Sequence, residues 1–401
     1  MKKILFVINT LGYGGAERAM LNLFDILDSK KYEISLFVLT GQGELSHALP
    51  DKVHLLNQNY KDISVLTKEG RKLLMSSVLK AGIGKGLFLR RAPYLIKNVL
   101  HMKRKGKILP DKLCWRLLAD GAPIIRKEYD LAVAYLEGGA TYYVAEHVKA
   151  KKKAAFVHID YGQAGYGREL DLDCYRKIDW IFTVSDEVKD HFLEVYPEYE
   201  QKVSVFHNLV NQERIRRMAN EGSGFEDDFQ GYRILTVGRL THQKRYDIAI
   251  RAMALLKEKC KAPVRWYVLG EGDLRNSLEQ QIKDAGLEKE FILLGVKENP
   301  FPCYKNCDFY VHATGFEGKS IAIQEAQTLG KPILATDCSG NREQMTNGVD
   351  GCLCQLTPEA VSEQLLWMIE HPEECRNYGE EAGKKVLYHT KGLDQFLALI
   401  E

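Results

Sequence analysis

The chain lacks any long hydrophobic run: no stretch approaches the ~20 consecutive apolar residues that a membrane-spanning helix needs. Proline is scarce, 11 in 401 residues, so neither a proline-rich linker nor a disordered tail is indicated. An excess of charge of one sign is also missing. The net charge of +2 excludes a general polyelectrolyte character and, with it, nucleic acid as the expected partner. Zinc-ligand spacing is absent. The nine cysteines are an odd number, and Cys303/Cys307 and Cys352/Cys354 each lack a second half-site, so reduced thiols in a cytoplasmic protein are expected. The opening MKKILFVINTL has the lysines and short apolar run of a leader, but GYGGAER follows where a cleavage site would stand; a buried strand is the expectation.

What is present is the composition of a globular protein, 45% apolar and 27% charged, in a chain too long for one ordinary core. Continuous apolar strands alternate with helical patterns. Ile4–Leu11, Glu33–Thr40, Asp130–Tyr135, Ala154–Ile159, Trp180–Val184 and Val203–Phe206 read as strands. A polar stretch, NQERIRRMANEGSGFEDDFQG, then ends in Gly, Ser and acids, and the pattern restarts with strands at Ile234–Val237, Trp266–Leu269, Phe291–Leu294, Phe309–His312 and Pro332–Thr336. Strands without inward/outward alternation, joined by helices, predict parallel sheets covered on both faces. The expectation is an α/β protein of two doubly wound Rossmann-like domains, 1–207 and 208–385, with a helix at 386–401 returning to the first. Ligands of such sheets bind beyond the carboxyl ends of the strands.

Three strand-to-helix junctions carry phosphate-binding chemistry. Leu11-Gly12-Tyr13-Gly14-Gly15-Ala16 lets backbone N–H groups approach an anion at a helix N-terminus, although glycines serve any tight turn and the spacing departs from GxGxxG. In ILTVGRLTHQKRYD, Gly238 is followed by Arg239 and Lys244; a guanidinium fork and an ammonium point charge suit a diphosphate, and a solvated loop is the plain alternative. Gly270-Glu271-Gly272 repeats the pattern, with Asp273 expected as the N-cap of the next helix.

Glu317 and Glu325 stand eight positions apart in GFEGKSIAIQEAQTLGKP. Ser320 is expected to cap a helix over Ile321–Leu329, which places Glu317 in the loop above the helix N-terminus and Glu325 inside the helix. Carboxylates accept paired hydrogen bonds from vicinal hydroxyls, so two at this spacing suit two polyols of one ligand, a sugar and a ribose, with phosphates between them.

These residues match the E-x7-E motif of retaining GT-B glycosyltransferases, and the chain resembles glycosyltransferase family 4. The resemblance includes GGAER after the first strand, FHNLVN at the domain junction, VGRLTHQKRYD, VLGEGDLRNSLE and EGKSIAIQEAQTLGKPILATD, in that order. It implies that Arg239 and Lys244 bind the nucleotide diphosphate, that Glu325 holds the ribose, and that Glu317 touches the donor sugar beside the backbone of Gly318, Lys319 and Ser320. Gly14 and Gly15 would let the first domain approach the donor, Gly238 and Gly270 would border it, and His158 aligns with an active-site histidine, a satisfied core histidine being its plain alternative. The family commonly has proline after Glu-Gly where this chain has Lys319, expected to face solvent. It also often reads Gly-Gly-x-x-Glu where this chain has Ser339-Gly340-Asn341-Arg342-Glu343, which puts close backbone contact there in question; Glu343 is expected to start a helix.

The implied activity is transfer of a sugar, with retention, from a nucleotide-sugar (UDP-sugar expected) to a saccharide or lipid-pyrophosphate-linked acceptor in capsule, exopolysaccharide or related synthesis. No cofactor or metal is expected; the DLD at Asp171–Asp173, the one candidate for a metal-binding DxD, reads as a solvated helix face. A non-hydrolysing nucleotide-sugar epimerase on the same fold is the alternative. A nicotinamide dehydrogenase lacks its fingerprint, and the intact Glu317, Glu325, Arg239 and Lys244 argue against a catalytically dead carbohydrate-binding protein. The epimerase leaves unexplained a helical insert at about 60–127, where twelve Lys or Arg and one acid, Glu69, lie between Lys68 and Lys107. In APYLIKNVLHMKRKGK, Ala92, Leu95, Ile96, Val99 and Met102 form an apolar stripe, while Lys97, Lys103, Arg104 and Lys105 lie off it. Such a helix suits an anionic membrane surface or packs its stripe on the sheet. The expected location is the cytoplasm, peripheral on the inner face of the cell membrane.

Overall fold

A computed structural model of the chain describes residues 1–401 apart from 105, 107, 108, 163 and 388–390, and the side chain of 339. Lys105 therefore lies outside the described residues. The chain divides into two compact units, Met1–His207 with Thr390–Glu401, and Asn208–His389.

The first unit is built on a seven-stranded sheet, β1 (Lys2–Ile8), β2 (Tyr32–Val38), β3 (Val53–Leu55), β4 (Tyr129–Ala134), β5 (Ala150–Val157), β6 (Trp180–Thr183) and β7 (Val203–Val205), in the order β3-β2-β1-β4-β5-β6-β7. All pairs are parallel. Ile4 to Ile8 are all fully buried, as a strand covered on both faces requires. The C-terminal helix Lys391–Ile400 returns to this unit, and Phe396 packs against Phe6, Phe156, Phe182 and Phe206 at ring distances of 6.0–6.2 Å.

The second unit repeats the plan with six parallel strands, β8 (Tyr232–Val237), β9 (Val264–Leu269), β10 (Phe291–Gly295), β11 (Phe309–His312), β12 (Ile333–Thr336) and β13 (Cys352–Cys354), ordered β10-β9-β8-β11-β12-β13. Both orders contain the doubly wound pattern in which strands run outward in two directions from a central start. The three-residue edge strands β3 and β13 were not expected from the sequence, whereas β7, equally short, was.

Asp171 corrects one expectation. It is fully buried rather than solvated, and its carboxylate accepts hydrogen bonds from the hydroxyls of Tyr142 (2.9 Å), Tyr161 (2.7 Å) and Tyr196 (2.6 Å). Burial raises its pKa, and the three hydroxyls offset part of that rise.

The basic insert is helical: Lys68–Leu79, Leu87–Arg90, Ala92–Arg104 and Pro110–Gly121. The inward face of Ala92–Arg104 differs from the expected stripe. Tyr94, Asn98 and Met102, at i, i+4 and i+8, are buried; the Tyr94 hydroxyl donates to the Leu170 carbonyl (3.1 Å) and the Asn98 amide to that of Glu169 (3.2 Å). Those bonds to a neighbouring backbone turn the helix so that Ile96 and Leu100 are exposed with Lys97, Lys103 and Arg104. Met75, Leu79, Ile83 and Leu89 are exposed nearby in sequence, the last two at 71% and 86%.

Candidate active site

β8 and β11 are paired neighbours running in the same direction, so the segments that follow them, 238–245 and 313–320, emerge together at the carboxyl edge of the second sheet. Gly238 donates its N–H to the Leu269 carbonyl (2.9 Å) and accepts from the Tyr246 hydroxyl (2.8 Å). Gly270 must be glycine here, since a β-carbon would lie 2.0 Å from the Gly238 carbonyl oxygen. Arg239 is exposed and has no acidic partner among the described residues. A short turn, His242–Lys244, delivers Lys244, and Arg245 then takes a left-handed φ of 43° to start the helix Tyr246–Lys259.

Gln243 stitches the two segments together. Its carbonyl accepts from the Gly315 N–H (2.9 Å) and the Thr314 hydroxyl (3.1 Å), while its side-chain amide donates to the Phe316 carbonyl (2.8 Å). Lys244 and Glu317 thereby meet: the Lys244 ammonium donates to Glu317 Oε2. The same oxygen lies 3.0 Å from His312 Nε2. Burial alone would raise the Glu317 pKa, but the Lys244 charge and the His312 hydrogen bond outweigh it and hold the carboxylate at about 2. It is an anion throughout the physiological range.

The helix after this loop runs Ile321–Thr328, and Ser320 stands at its N-cap without a side-chain cap bond. Gln344 brackets the Ser320 backbone instead, accepting from its N–H (2.7 Å) and donating to its carbonyl (2.9 Å). Asn208, from the junction sequence, donates to the Lys319 carbonyl (3.2 Å) and accepts from the Gln324 amide (3.2 Å). Lys319 is half-buried rather than free in solvent. Gly318 faces Gly340: a β-carbon at 340 would meet the Gly318 carbonyl oxygen at 2.0 Å. Glu325 is buried and accepts from the Tyr304 hydroxyl at 2.9 Å.

Two helix-boundary expectations are corrected. The helix after β9 is Arg275–Asp284 with Leu274 at its N-cap, so Asp273 does not cap it. The short helix Ser339–Arg342 ends before Glu343, which therefore starts no helix.

In the first unit, Gly15 opens the helix Gly15–Ile26 with Gly14 at its N-cap, and a β-carbon at 15 would meet nothing within 4 Å. That exposed helix N-terminus lies at the carboxyl edge of the sheet, as does His158, the residue after β5. His158 N–H donates to Glu137 Oε2 (3.0 Å). Its ring lies beside Tyr135 and Phe156, and its buried Nε2 has no hydrogen-bond partner. Burial pushes the imidazole down to about 3, so it is neutral. Lys97, Lys103 and Arg104 are exposed on the insert and are not brought to either set of strand ends by any recorded bond.

Among the described residues, one group of three has metal-ligand spacing, Asp120, Glu146 and His147. Arg91 and Arg116 already pair with it, Arg91 Nε to Asp120 at 2.7 Å and Arg116 Nη1 to Glu146 at 2.7 Å, which makes it a structural ion network. His312, Gln243 and Gln344 were not singled out in the sequence. Only His312 left a signal there, a histidine ending an apolar strand as His158 does.

Comparison with known proteins gives the class. Residues 227–385 match the family described as glycosyl transferases group 1, and the whole chain has the fold of the GT-B glycosyltransferases. Anabaena HepE, in a crystal structure with UDP and glucose, matches with a TM-score of 0.67 over 99% of this chain and 98% of that one, at 17% identity. Over 387 residues the sequence is 28% identical to the N-acetylgalactosamine-N,N'-diacetylbacillosaminyl-diphospho-undecaprenol 4-alpha-N-acetylgalactosaminyltransferase of Campylobacter jejuni, covering 95% of this chain and 94% of that protein. A second C. jejuni enzyme, the GalNAc-alpha-(1->4)-GalNAc-alpha-(1->3)-diNAcBac-PP-undecaprenol alpha-1,4-N-acetyl-D-galactosaminyltransferase, is 22% identical over 94% of this chain and 91% of its own. The chain thus has the GT-B fold, and its second unit is similar to the glycosyl transferases group 1.

Proposed function

We propose that this protein is a retaining, metal-independent glycosyltransferase of family 4 that transfers a sugar from a UDP-sugar to a lipid-pyrophosphate-linked saccharide in bacterial glycan synthesis. The observation that carries the reading is the meeting of Lys244 with Glu317 at the carboxyl edge of the second sheet, beside an Arg239 that has no acidic partner among the described residues. Arg239 and Lys244 take the diphosphate, Glu325 takes the ribose, and Glu317 takes hydroxyls of the donor sugar beside Gly318, Lys319 and Ser320. Gly238 and Gly270 shape the loops around the diphosphate. In the first unit, Gly14 and Gly15 leave the N-terminus of the helix Gly15–Ile26 without side chains, and His158 carries a neutral imidazole.

The barrier to this reaction is negative charge growing on the leaving diphosphate, and fixed cations stabilise that charge most in the transition state. The bond from the anomeric carbon to the phosphate oxygen breaks, and the acceptor hydroxyl oxygen bonds to the same carbon from the same face. The acceptor's proton passes to the departing phosphate. Glu317 is held by Lys244 and His312 and serves as a binding group, not a nucleophile.

The lipid-linked acceptor is supported by the full-length similarity to two undecaprenol-linked enzymes. No helix among the described residues is long and apolar enough to cross a membrane, and this reading has the carrier met at the membrane surface. The insert suits that surface: exposed Ile83, Leu89, Ile96 and Leu100 would enter the headgroup region while Lys97, Lys103 and Arg104 face anionic lipid.

The test is turnover of a panel of nucleotide-sugars with undecaprenyl-pyrophosphate saccharides in anionic vesicles, with the product anomer read by NMR. Transfer with the donor's anomeric configuration is expected. An inverted linkage overturns the retaining mechanism, and conversion of the donor without an acceptor gives the epimerase instead.

A further inference from the structure

His312 ends β11, is 1% exposed, and has polar groups within hydrogen-bond reach of both ring nitrogens. Nε2 lies 3.0 Å from Glu317 Oε2 and 3.3 Å from the Lys244 ammonium, while Nδ1 lies 3.1 Å from the Tyr310 hydroxyl. The Glu317 carboxylate can only accept and the Lys244 ammonium can only donate; the carboxylate makes the shorter contact to Nε2 and is itself the acceptor for Lys244, which assigns the ring proton to Nε2. Nδ1 then accepts from the Tyr310 hydroxyl. Tyr310 is itself fully buried and stacks on Tyr304 at 5.2 Å, and Tyr304 donates to Glu325. Burial, reinforced by the Lys244 charge, lowers the pKa of His312, in keeping with a neutral ring.

We propose that His312 is a positioning residue for donor-sugar recognition: with Tyr310 fixing its tautomer, it donates to Glu317 Oε2 and so sets the plane of the carboxylate. Both recorded hydrogen bonds to the Glu317 side chain end on Oε2, which directs Oε1 to the sugar hydroxyls. Lys244 alone cannot fix that plane, because an ammonium on a flexible stem is a point charge without directional preference. The imidazole is planar and held by its strand, so it supplies the direction. The inference rests on the donor-site reading above.

The test compares His312→Leu, His312→Gln and Tyr310→Phe with the unmodified protein, measuring UDP affinity by calorimetry and KM for the preferred UDP-sugar. Losing a hydrogen bond to a charged group should raise the UDP-sugar KM of His312→Leu about tenfold, with UDP affinity unchanged. His312→Gln, which keeps a donor at similar reach, should recover most of the loss, and Tyr310→Phe should fall between. A long-range 1H–15N spectrum should also report the Nε2–H tautomer of His312 in the ligand-free protein, with the other tautomer gaining in Tyr310→Phe. An unchanged KM in His312→Leu, a parallel loss of UDP affinity, or no recovery in His312→Gln overturns the assignment. So does the Nδ1–H tautomer, whatever the ligand. An unmodified protein that binds neither UDP nor any nucleotide-sugar overturns the donor-site reading itself, an outcome separate from all of these.

Discussion

Gly340 lies so close to Glu317 that a β-carbon on it would stand 2.2 Å from the Glu317 carbonyl oxygen. The obstacle is backbone, so a larger residue cannot be accommodated by turning a side chain. Gly340→Ala should move the Glu317–Gly318 segment, and a displacement near 1 Å at a reacting centre costs on the order of a hundredfold in rate. Steady-state turnover with thermal unfolding measured alongside checks this; full activity in a folded variant contradicts it.

Removing the ribose partner should weaken the donor without dismantling the fold. Glu325→Ala deletes a charge-assisted acceptor worth about 1.5–3 kcal/mol, so affinity for the nucleoside diphosphate should drop roughly ten- to a hundredfold. Tyr304→Phe is the control, because it removes the hydroxyl that holds Glu325 and leaves the carboxylate. Calorimetric titration with UDP decides, and unchanged affinity in Glu325→Ala would remove Glu325 from the site.

Arg239→Ala and Lys244→Ala should each lower kcat by about a hundredfold or more, and donor binding by less. Lys244→Ala carries an additional effect, since it removes a partner of Glu317, whereas the exposed Arg239 has no acidic partner among the described residues. If EDTA abolishes turnover and Mn²⁺ restores it, the metal-independent account is wrong.

The pH dependence of stability has a definite sign. Glu317 is held at about 2, below its ordinary 4.5, so its stabilising contribution is complete above about pH 4.5 and is lost as the pH falls towards 2. Glu317→Gln lacks that contribution. The difference in Tm between the unmodified protein and Glu317→Gln should therefore narrow as the pH is lowered below 4.5, and a gap independent of pH would refute the ion-pair account.

Membrane binding should separate into charge and insertion. Lys97, Lys103 and Arg104 replaced by glutamine should weaken binding to anionic vesicles by about 1 kcal/mol per residue, with the loss greatest at low salt. Ile83→Ser with Leu89→Ser should weaken it at both low and high salt. Co-sedimentation measures both, and an unmodified protein that stays in the supernatant throughout excludes the insert as a membrane surface.

The sequence by itself determined the two α/β halves, because parallel strands buried on both faces must be continuous apolar runs, and those runs survive in the text from Ile4 to Ile8 and again from Ile234 onward. It also set the spacing of Glu317 and Glu325, a local matter of one loop and one helix. The partners of those glutamates were beyond it. Lys244 reaches Glu317 across 73 positions and Tyr304 reaches Glu325 across 21, because neighbouring strands bring their following loops together and no local pattern records which strands are neighbours. Asp171 shows the same limit from the other side. With Glu169 and Asp173 two positions away on either side it reads as solvated, and only the convergence of Tyr142, Tyr161 and Tyr196 makes a fully buried carboxylate tolerable, since a buried charge is retained only where distant groups supply its hydrogen bonds.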